Sequence, residues 1–213
     1  MITVEKYPIE AFNIKLEQNT FLPRMTHLHE VAALIHFMQQ YQGNVVELGC
    51  GVGVTTNDLI KALPVSRNLY AVDFSGNVDV APEQRIEVPR LGNTHRIGEA
   101  VKYASSKSNL KFIDEHIDDV DFKQFGDARF FFIDDDHTYA GVKATTKAVF
   151  RYIEKLQLKN RQERIVFWHD FSPYKPEWVK VHKFIVEDLV HEKIQVIEGT
   201  QLAYFKFTGV QKS

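Results

Sequence analysis

Cysteine is nearly absent from this chain of 213 residues, since Cys50 is its only one. An intramolecular disulfide is therefore excluded, and the reducing cytoplasm is the expected compartment. The first ten residues lack the basic start and the apolar stretch of a secretory signal. No apolar run approaches the length that crosses a bilayer, so we expect no membrane partner.

The chain also lacks a strong charge of either sign. Its 26 Lys and Arg residues nearly balance 28 Asp and Glu residues, which gives a net charge of −2. No broad attraction to nucleic acid follows from this balance. The hydrophobic fraction of 44% is ordinary for a globular protein. We predict one domain over 1–213, with 1–25 as an N-terminal extension, and a homo-oligomer is left open.

Apolar strands alternate with segments of helical periodicity along most of the chain. The predicted helices cover about 27–41, capped by Thr26, and then 55–63, 97–104, 140–156 and 176–189. The predicted strands cover 44–48, 68–74, 110–113, 128–133, 164–168, 194–197 and 202–207. This order predicts an α/β fold with a doubly wound, mostly parallel, seven-stranded sheet and a C-terminal antiparallel hairpin. The long connection 75–93 is predicted to be a binding loop.

The most informative motif is a glycine loop between the first of these strands and its helix. It consists of Glu47-Leu48-Gly49-Cys50-Gly51-Val52-Gly53. Glycines let the backbone turn sharply and let a ligand approach main-chain atoms. A dinucleotide fingerprint, G-x-G-x-x-G, would need a further glycine where Val54 stands. The pattern here is E-x-G-x-G-x-G, which points to a different cofactor.

A second acid supports an adenosine ligand. Asp73 ends the next apolar run, roughly 20 residues past the glycines, where a ribose-binding carboxylate is expected. Phe74 follows it directly and is assigned to the same site. Dinucleotides and other adenosine cofactors can both bind their ribose through such an acid. Asp73 therefore does not distinguish between these two classes of cofactor.

Two later motifs carry a family resemblance. Phe132-Ile133-Asp134-Asp135-Asp136-His137-Thr138-Tyr139 resembles an I-D-G-D-H-x-Y signature, and Val166-Phe167-Trp168-His169-Asp170-Phe171 resembles an H-D-[YFW] strand ending. With the glycine loop, they make the chain similar to class I S-adenosylmethionine-dependent methyltransferases, in particular cephalosporin-hydroxylase-like and sugar O-methyltransferase proteins. The resemblance implies a Rossmann-like methyltransferase fold and O-methylation of a small hydroxylated metabolite or sugar. Asp135 departs from the usual glycine of the signature.

The resemblance also implies roles for particular residues. Asp136 and His137 are the candidates for the catalytic base, and either could accept the proton of the acceptor hydroxyl. A divalent metal, Mg²⁺ or Mn²⁺, is an open second cofactor, and its implied ligands are Asp134, His169 and Asp170. The implied cofactor-binding residues are Glu47, Gly49, Cys50, Gly51, Gly53, Asp73, Phe74, His116, Ile117 and Asp134.

Two alternatives remain open on the sequence. A nicotinamide-dependent oxidoreductase would share Asp73, but it would more often continue with parallel strands where this chain has a predicted hairpin. A non-catalytic adenosine-binding module would keep Glu47 and Asp73 without needing the cluster from Asp134 to His137. The identity of the acceptor is not encoded in any motif of this chain.

Overall fold

The computed structural model describes residues 3–5, 26–51, 53–74, 108–172 and 179–208. The strands are β1 (Thr3–Glu5), β2 (Asn44–Leu48), β3 (Leu69–Asp73), β4 (Leu110–Asp114), β5 (Ala128–Ile133), β6 (Arg164–Trp168), β7 (Gln195–Ile197) and β8 (Ala203–Phe207). The helices are α1 (Leu28–Gln40), α2 (Val54–Ala62), α3 (Tyr139–Lys159) and α4 (Val179–Asp188), with a short 3₁₀ helix at Phe122–Phe125. Within these ranges, none of the helices has the length and apolarity that a membrane span needs.

The strands form one sheet in the order β1-β7-β8-β6-β5-β2-β3-β4. Neighbours run parallel except at β8, which is antiparallel to both β6 and β7. The predicted doubly wound sheet with its closing hairpin is therefore confirmed. One strand, β1, adds to the seven predicted and pairs with β7 in parallel. The three residues of β1 are too few to show a periodic pattern. The sequence therefore predicts only an extension over 1–25.

The central strands β2, β5 and β6 are buried on both faces, as their nearly continuous apolar sequences require. Successive side chains of β5 point to opposite faces. Phe130 and Phe132 join the core beneath α1 and α2. Phe131 and Ile133 join the core beneath α3 and α4. The run of three phenylalanines thus serves two cores at once.

Helix boundaries differ slightly from those predicted. The first helix is capped by His27 and not by Thr26. The hydroxyl of Thr26 instead accepts a hydrogen bond of 3.0 Å from that of Thr55. The predicted helix at 97–104, the loop 75–93 and the start of the helix at Pro176 lie outside the described residues.

The register of the sheet brings the motifs to a common edge. Leu48 pairs with Val72 on one side and with Ile133 on the other. Ile133 in turn pairs with Trp168. The residues that follow these positions leave the carboxyl ends of parallel strands, where α/β sheets bind their ligands.

Candidate active site

The glycine loop leaves β2 through residues that need left-handed backbone angles. Gly49, Gly51 and Gly53 have φ values of 86°, 53° and 85°. A Cβ on Gly49 would lie 2.2 Å from the carbonyl oxygen of Asp134, so only glycine fits there. A Cβ on Gly51 would meet no atom of the described residues within 4 Å. The loop therefore packs tightly on one side and leaves open space at Gly51.

Asp73 lies directly against this opening. Its Oδ2 accepts a hydrogen bond of 2.7 Å from the backbone N–H of Gly51, and its Oδ1 accepts one of 2.7 Å from that of Phe74. Burial raises the pKa of Asp73 to about 6, although these two hydrogen bonds oppose the rise. The acid predicted to bind ribose is thus placed beside the loop and is oriented by it.

Glu47 is almost completely buried at the end of β2, with 1% of its surface exposed. Its Oε2 has no hydrogen-bond partner among the described residues. Burial raises the pKa of Glu47 to about 8, and repulsion from Asp134 and Asp73 adds to the rise. A buried carboxyl with an unpaired oxygen is unfavourable unless a cation or a donor reaches it. This residue is therefore suited to a cationic ligand.

A cleft opens beside Asp73 and collects several predicted cofactor residues. Phe74, His116 and Ile117 line it, together with Asp135. The rings of Phe74 and His116 meet edge to face, with centroids 6.1 Å apart. His116 and Ile117, which follow β4, thus lie next to Asp73 at the end of β3. An aromatic edge and an acid make a suitable wall for a nucleoside.

Cys50 lies inside the loop and is buried. Burial raises the pKa of its thiol, and the charge of Glu47 contributes to the rise. A thiolate is the nucleophilic form of cysteine, so this side chain is inert. Its burial argues against covalent chemistry, and its contact with a cofactor stays a prediction.

A cluster of two acids and a histidine lies beyond the loop, where β5 and β6 end. Ligand atoms of Asp134, His137 and Asp170 lie within 4.8 Å of one another. The Nε2 of His137 forms a close ion pair with Oδ2 of Asp170 and lies 3.7 Å from Oδ1 of Asp134. Burial alone would lower the pKa of His137, but the bond to Asp170 outweighs it and raises that pKa.

Asp136, the other candidate base, is engaged at the start of α3. Its Oδ1 accepts a hydrogen bond of 2.7 Å from the N–H of Thr138, and its Oδ2 accepts one of 2.9 Å from the Thr138 hydroxyl. A Cβ on Gly141 would lie 2.1 Å from this Oδ2, so the helix turn leaves room for the carboxylate. Asp136 therefore organises the turn, whereas His137 contacts the acid pair.

His169, the histidine predicted as a metal ligand, is enclosed by carboxylates. Its ring is buried, with Nδ1 3.1 Å from Oδ1 of Asp134 and Nε2 3.3 Å from Oε2 of Glu30. Despite its burial, the charges and hydrogen bonds of the neighbouring carboxylates strongly raise the pKa of His169. The same Nδ1 of His169 lies 3.2 Å from Oδ1 of Asp170. The described residues thus bring both histidines to Asp134 and Asp170, and Asp134, His137 and Asp170 form a group that could hold one ion. His169 as a metal ligand stays a prediction.

Two features of the site had no signal in the sequence. Glu30 of α1 is fully buried under the cluster and is described below. Asp170 has a φ of 58°, the one positive value outside glycine among the described residues. Such backbone strain costs on the order of 1–3 kcal/mol and concentrates at functional sites.

The sequence matches no protein-family model and no curated protein. Solved structures do resemble the fold. The O-methyltransferase NovP is 13% identical with a TM-score of 0.54, covering 84% of this chain and 79% of that one. An SAH-bound Podospora anserina methyltransferase, PaMTH1, is 11% identical with a TM-score of 0.57, covering 86% and 80%.

A third similar structure is an O-methyltransferase from Bacillus cereus in complex with SAH. It is 14% identical with a TM-score of 0.53, and the match covers 94% of this chain and 86% of that one. The order of the strands and the final hairpin agree with the fold that the motifs implied. The chain therefore has the Rossmann-like fold of the class I methyltransferases.

Proposed function

We propose that this chain is an S-adenosylmethionine-dependent methyltransferase that acts on a hydroxyl oxygen of a small hydroxylated metabolite or sugar. The observation that carries the proposal is the opening at Gly51, where a Cβ would meet no described atom within 4 Å and where the Asp73 carboxylate accepts the Gly51 N–H. SAH-bound structures with the same fold support it. The antiparallel hairpin of β7 and β8 weighs against a nicotinamide-dependent oxidoreductase.

The described residues fit this cofactor on its chemistry. The open backbone at Gly51 admits a ligand against the main chain, and Asp73 offers carboxylate oxygens to ribose hydroxyls. Glu47 suits the cationic methionine half, because a positive charge nearby would favour its ionised form. Phe74, His116 and Ile117 would border the adenine. Asp134 lies between this cradle and the acceptor side.

The cofactor supplies an electrophilic methyl group on a sulfonium. What the chain itself must do is align an acceptor with that methyl and remove the acceptor's proton. His137 is the better-placed base, since Asp136 is engaged by Thr138. A histidine accepts a proton only when neutral, so its raised pKa predicts a rate that increases as the pH rises through that pKa.

The alternative to His137 as the base is a divalent ion, which Asp134, His137 and Asp170 would hold. Ligand atoms of these three residues lie within 4.8 Å of one another, a spacing that one ion could bridge. A set of carboxylates with one imidazole suits Mn²⁺ better than Mg²⁺, which prefers oxygen ligands throughout. In this assignment His137 is displaced from its role as base, which Asp136 would then fill. The two roles of His137 exclude one another.

Isothermal titration of the purified chain with S-adenosylmethionine and with S-adenosylhomocysteine tests the proposal. We expect both to bind, and we expect NADH under the same conditions to give no heat. A folded protein that ignored both sulfur compounds at millimolar concentration would overturn the proposed function. Binding without turnover of any hydroxylated compound would favour an adenosine-binding module.

A further inference from the structure

Glu30 of α1 is buried in a way that its place in the helix does not require. It is 0% exposed, and its carboxylate accepts three hydrogen bonds. Oε2 accepts from the N–H of His27 at 2.9 Å, and Oε1 accepts from the N–H of Gln201 at 2.7 Å. The third donor is Nε2 of His169, at 3.3 Å. An acid that only capped a helix would do so at the surface, where it keeps its hydration.

The His169 ring continues the contact toward the site. Its second nitrogen, Nδ1, lies 3.1 Å from Oδ1 of Asp134 and 3.2 Å from Oδ1 of Asp170. The ring also meets Phe132 edge to face, with centroids 6.1 Å apart. Because the two nitrogens of an imidazole point in fixed, divergent directions, holding one of them sets the direction of the other. Glu30 thereby determines where His169 points its Nδ1.

The position of the Asp170 carboxylate depends on the His169 ring. Its backbone is held at a φ of 58°, and its buried Oδ1 faces His169 with no hydrogen-bond partner among the described residues. Its other oxygen pairs with His137. A rotation of the His169 ring would remove the positive neighbour of Oδ1 and allow the carboxylate to turn. His137, which touches both acids, would then move with them.

We propose that Glu30 is a positioning residue, which acts through His169 to fix Asp134 and Asp170, and with them His137, at the acceptor side of the site. This inference rests on the proposed function for its meaning in catalysis. The coupling itself is a property of the buried side chains. It links Glu30 in α1 to His169, which lies 139 positions further along the chain.

The test compares Glu30→Gln with His29→Ala in the full chain. His29 makes the neighbouring link between α1 and the loop from β7 to β8, through a contact of 3.1 Å between its Nε2 and the carbonyl oxygen of Gly199. It does not touch His169 through any contact described above. The readout is the ring Cε1–H signal of His137 in histidine-labelled protein, recorded at one fixed pH. His137 is chosen because it contacts both acids and does not contact Glu30.

We expect Glu30→Gln to displace the His137 signal and His29→Ala to leave it in place. An unmoved signal in Glu30→Gln would overturn the inference and leave Glu30 as a buried helix cap. A signal displaced equally in both variants would also overturn it, because loosening α1 from the hairpin loop would then be sufficient. If Glu30→Gln does not fold, Glu30→Asp keeps the charge but withdraws it from His169, and the same two outcomes decide.

Titration with S-adenosylhomocysteine separates this inference from the proposed function. We expect Glu30→Gln to bind it within about threefold of the unmodified chain, since Gly51 and Asp73 make no described contact with Glu30. If the unmodified chain does not bind it, the proposed function fails. The displaced His137 signal would still establish the coupling in that case.

Discussion

Gly49 and Asp134 approach so closely that a Cβ on the glycine would lie 2.2 Å from the aspartate's carbonyl oxygen. This contact joins the glycine loop of β2 to the end of β5. It is reinforced by a hydrogen bond of 2.8 Å from the N–H of Asp134 to the carbonyl oxygen of Leu48. The glycine loop and the start of the acidic cluster are therefore held together through their backbones.

Replacement of Gly49 by alanine should be severely destabilising. The methyl group would overlap main-chain atoms, and the φ of 86° is unfavourable for any side chain. We expect a loss of more than about 3 kcal/mol in the free energy of unfolding, measured by urea denaturation. Gly51→Ala is the matched control, because it also has a positive φ but its Cβ would meet no atom of the described residues within 4 Å. Similar stability losses for the two variants would contradict the tight contact.

Asp73→Asn should weaken the binding of S-adenosylhomocysteine by about 10–100-fold, since hydrogen bonds to a charged group contribute about 1.5–3 kcal/mol. Titration calorimetry measures the change. Asp114→Asn supplies the control, because Asp114 is the partner of Asp73 on β4 and undergoes the same loss of charge. Equal weakening in both variants would indicate a general electrostatic effect and no ribose contact.

Glu47 should make the stability of the unliganded chain fall as the pH rises. Its pKa is about 8 when folded against an ordinary 4.5, so the folded state holds the extra proton. The stabilisation from this proton is complete below about pH 4.5 and is lost as the pH rises through 8. Thermal unfolding at several pH values should therefore show a smaller decline for Glu47→Gln. The exposed Glu154→Gln should follow the unmodified chain, and a Glu47→Gln curve parallel to both would refute the assignment.

His137→Ala should weaken Mn²⁺ binding by more than about 100-fold if this histidine is a ligand, since even indirect partners of a metal site contribute 10–100-fold. Electron paramagnetic resonance of free Mn²⁺ measures the binding. His191→Ala, at an exposed position after α4, is the control. Retained binding in His137→Ala, with loss in His169→Asn, would instead support the ligand set predicted from the sequence.

Thr138→Ala should lower the free energy of unfolding by about 1 kcal/mol, within the 0.5–2 kcal/mol range of lost helix caps. The hydroxyl accepts a hydrogen bond of 3.0 Å from the N–H of Gly141 and donates one to Asp136. Urea denaturation measures the change, and Thr138→Ser should restore most of it. A serine variant as unstable as the alanine variant would show that the hydroxyl is not what matters.

The fold was predictable because its signals are local. The apolar run from Phe130 to Ile133, bounded by Arg129 and Asp134, is typical of a short buried strand, and its side chains alternate between the two cores. The glycine loop was equally clear, since three positive φ angles require the residues that are there. The strand ends then bring the acids together as a consequence of parallel pairing.

The internal arrangement of the acidic cluster was not predictable. His137 and His169 both follow strands, and which of them faces the open site depends on how α1 packs over β6. That packing places Glu30 against His169, 139 residues away in the chain. Sequence patterns such as periodicity are local, so they do not predict a contact between residues that far apart. The left-handed backbone of Asp170 was not predictable either. Aspartate adopts such angles more often than most residues do, but only at a small share of its positions.

The pairing of β1 with β7 has a practical consequence for measurements on this protein. Five strand spacings separate β1 from β2 in the sheet order, which is roughly 24 Å at about 4.8 Å each. A fluorophore or an immobilisation handle introduced at that edge would stand well away from the glycine loop. Surface-based assays attached there should consequently report on ligand capture without the attachment itself interfering.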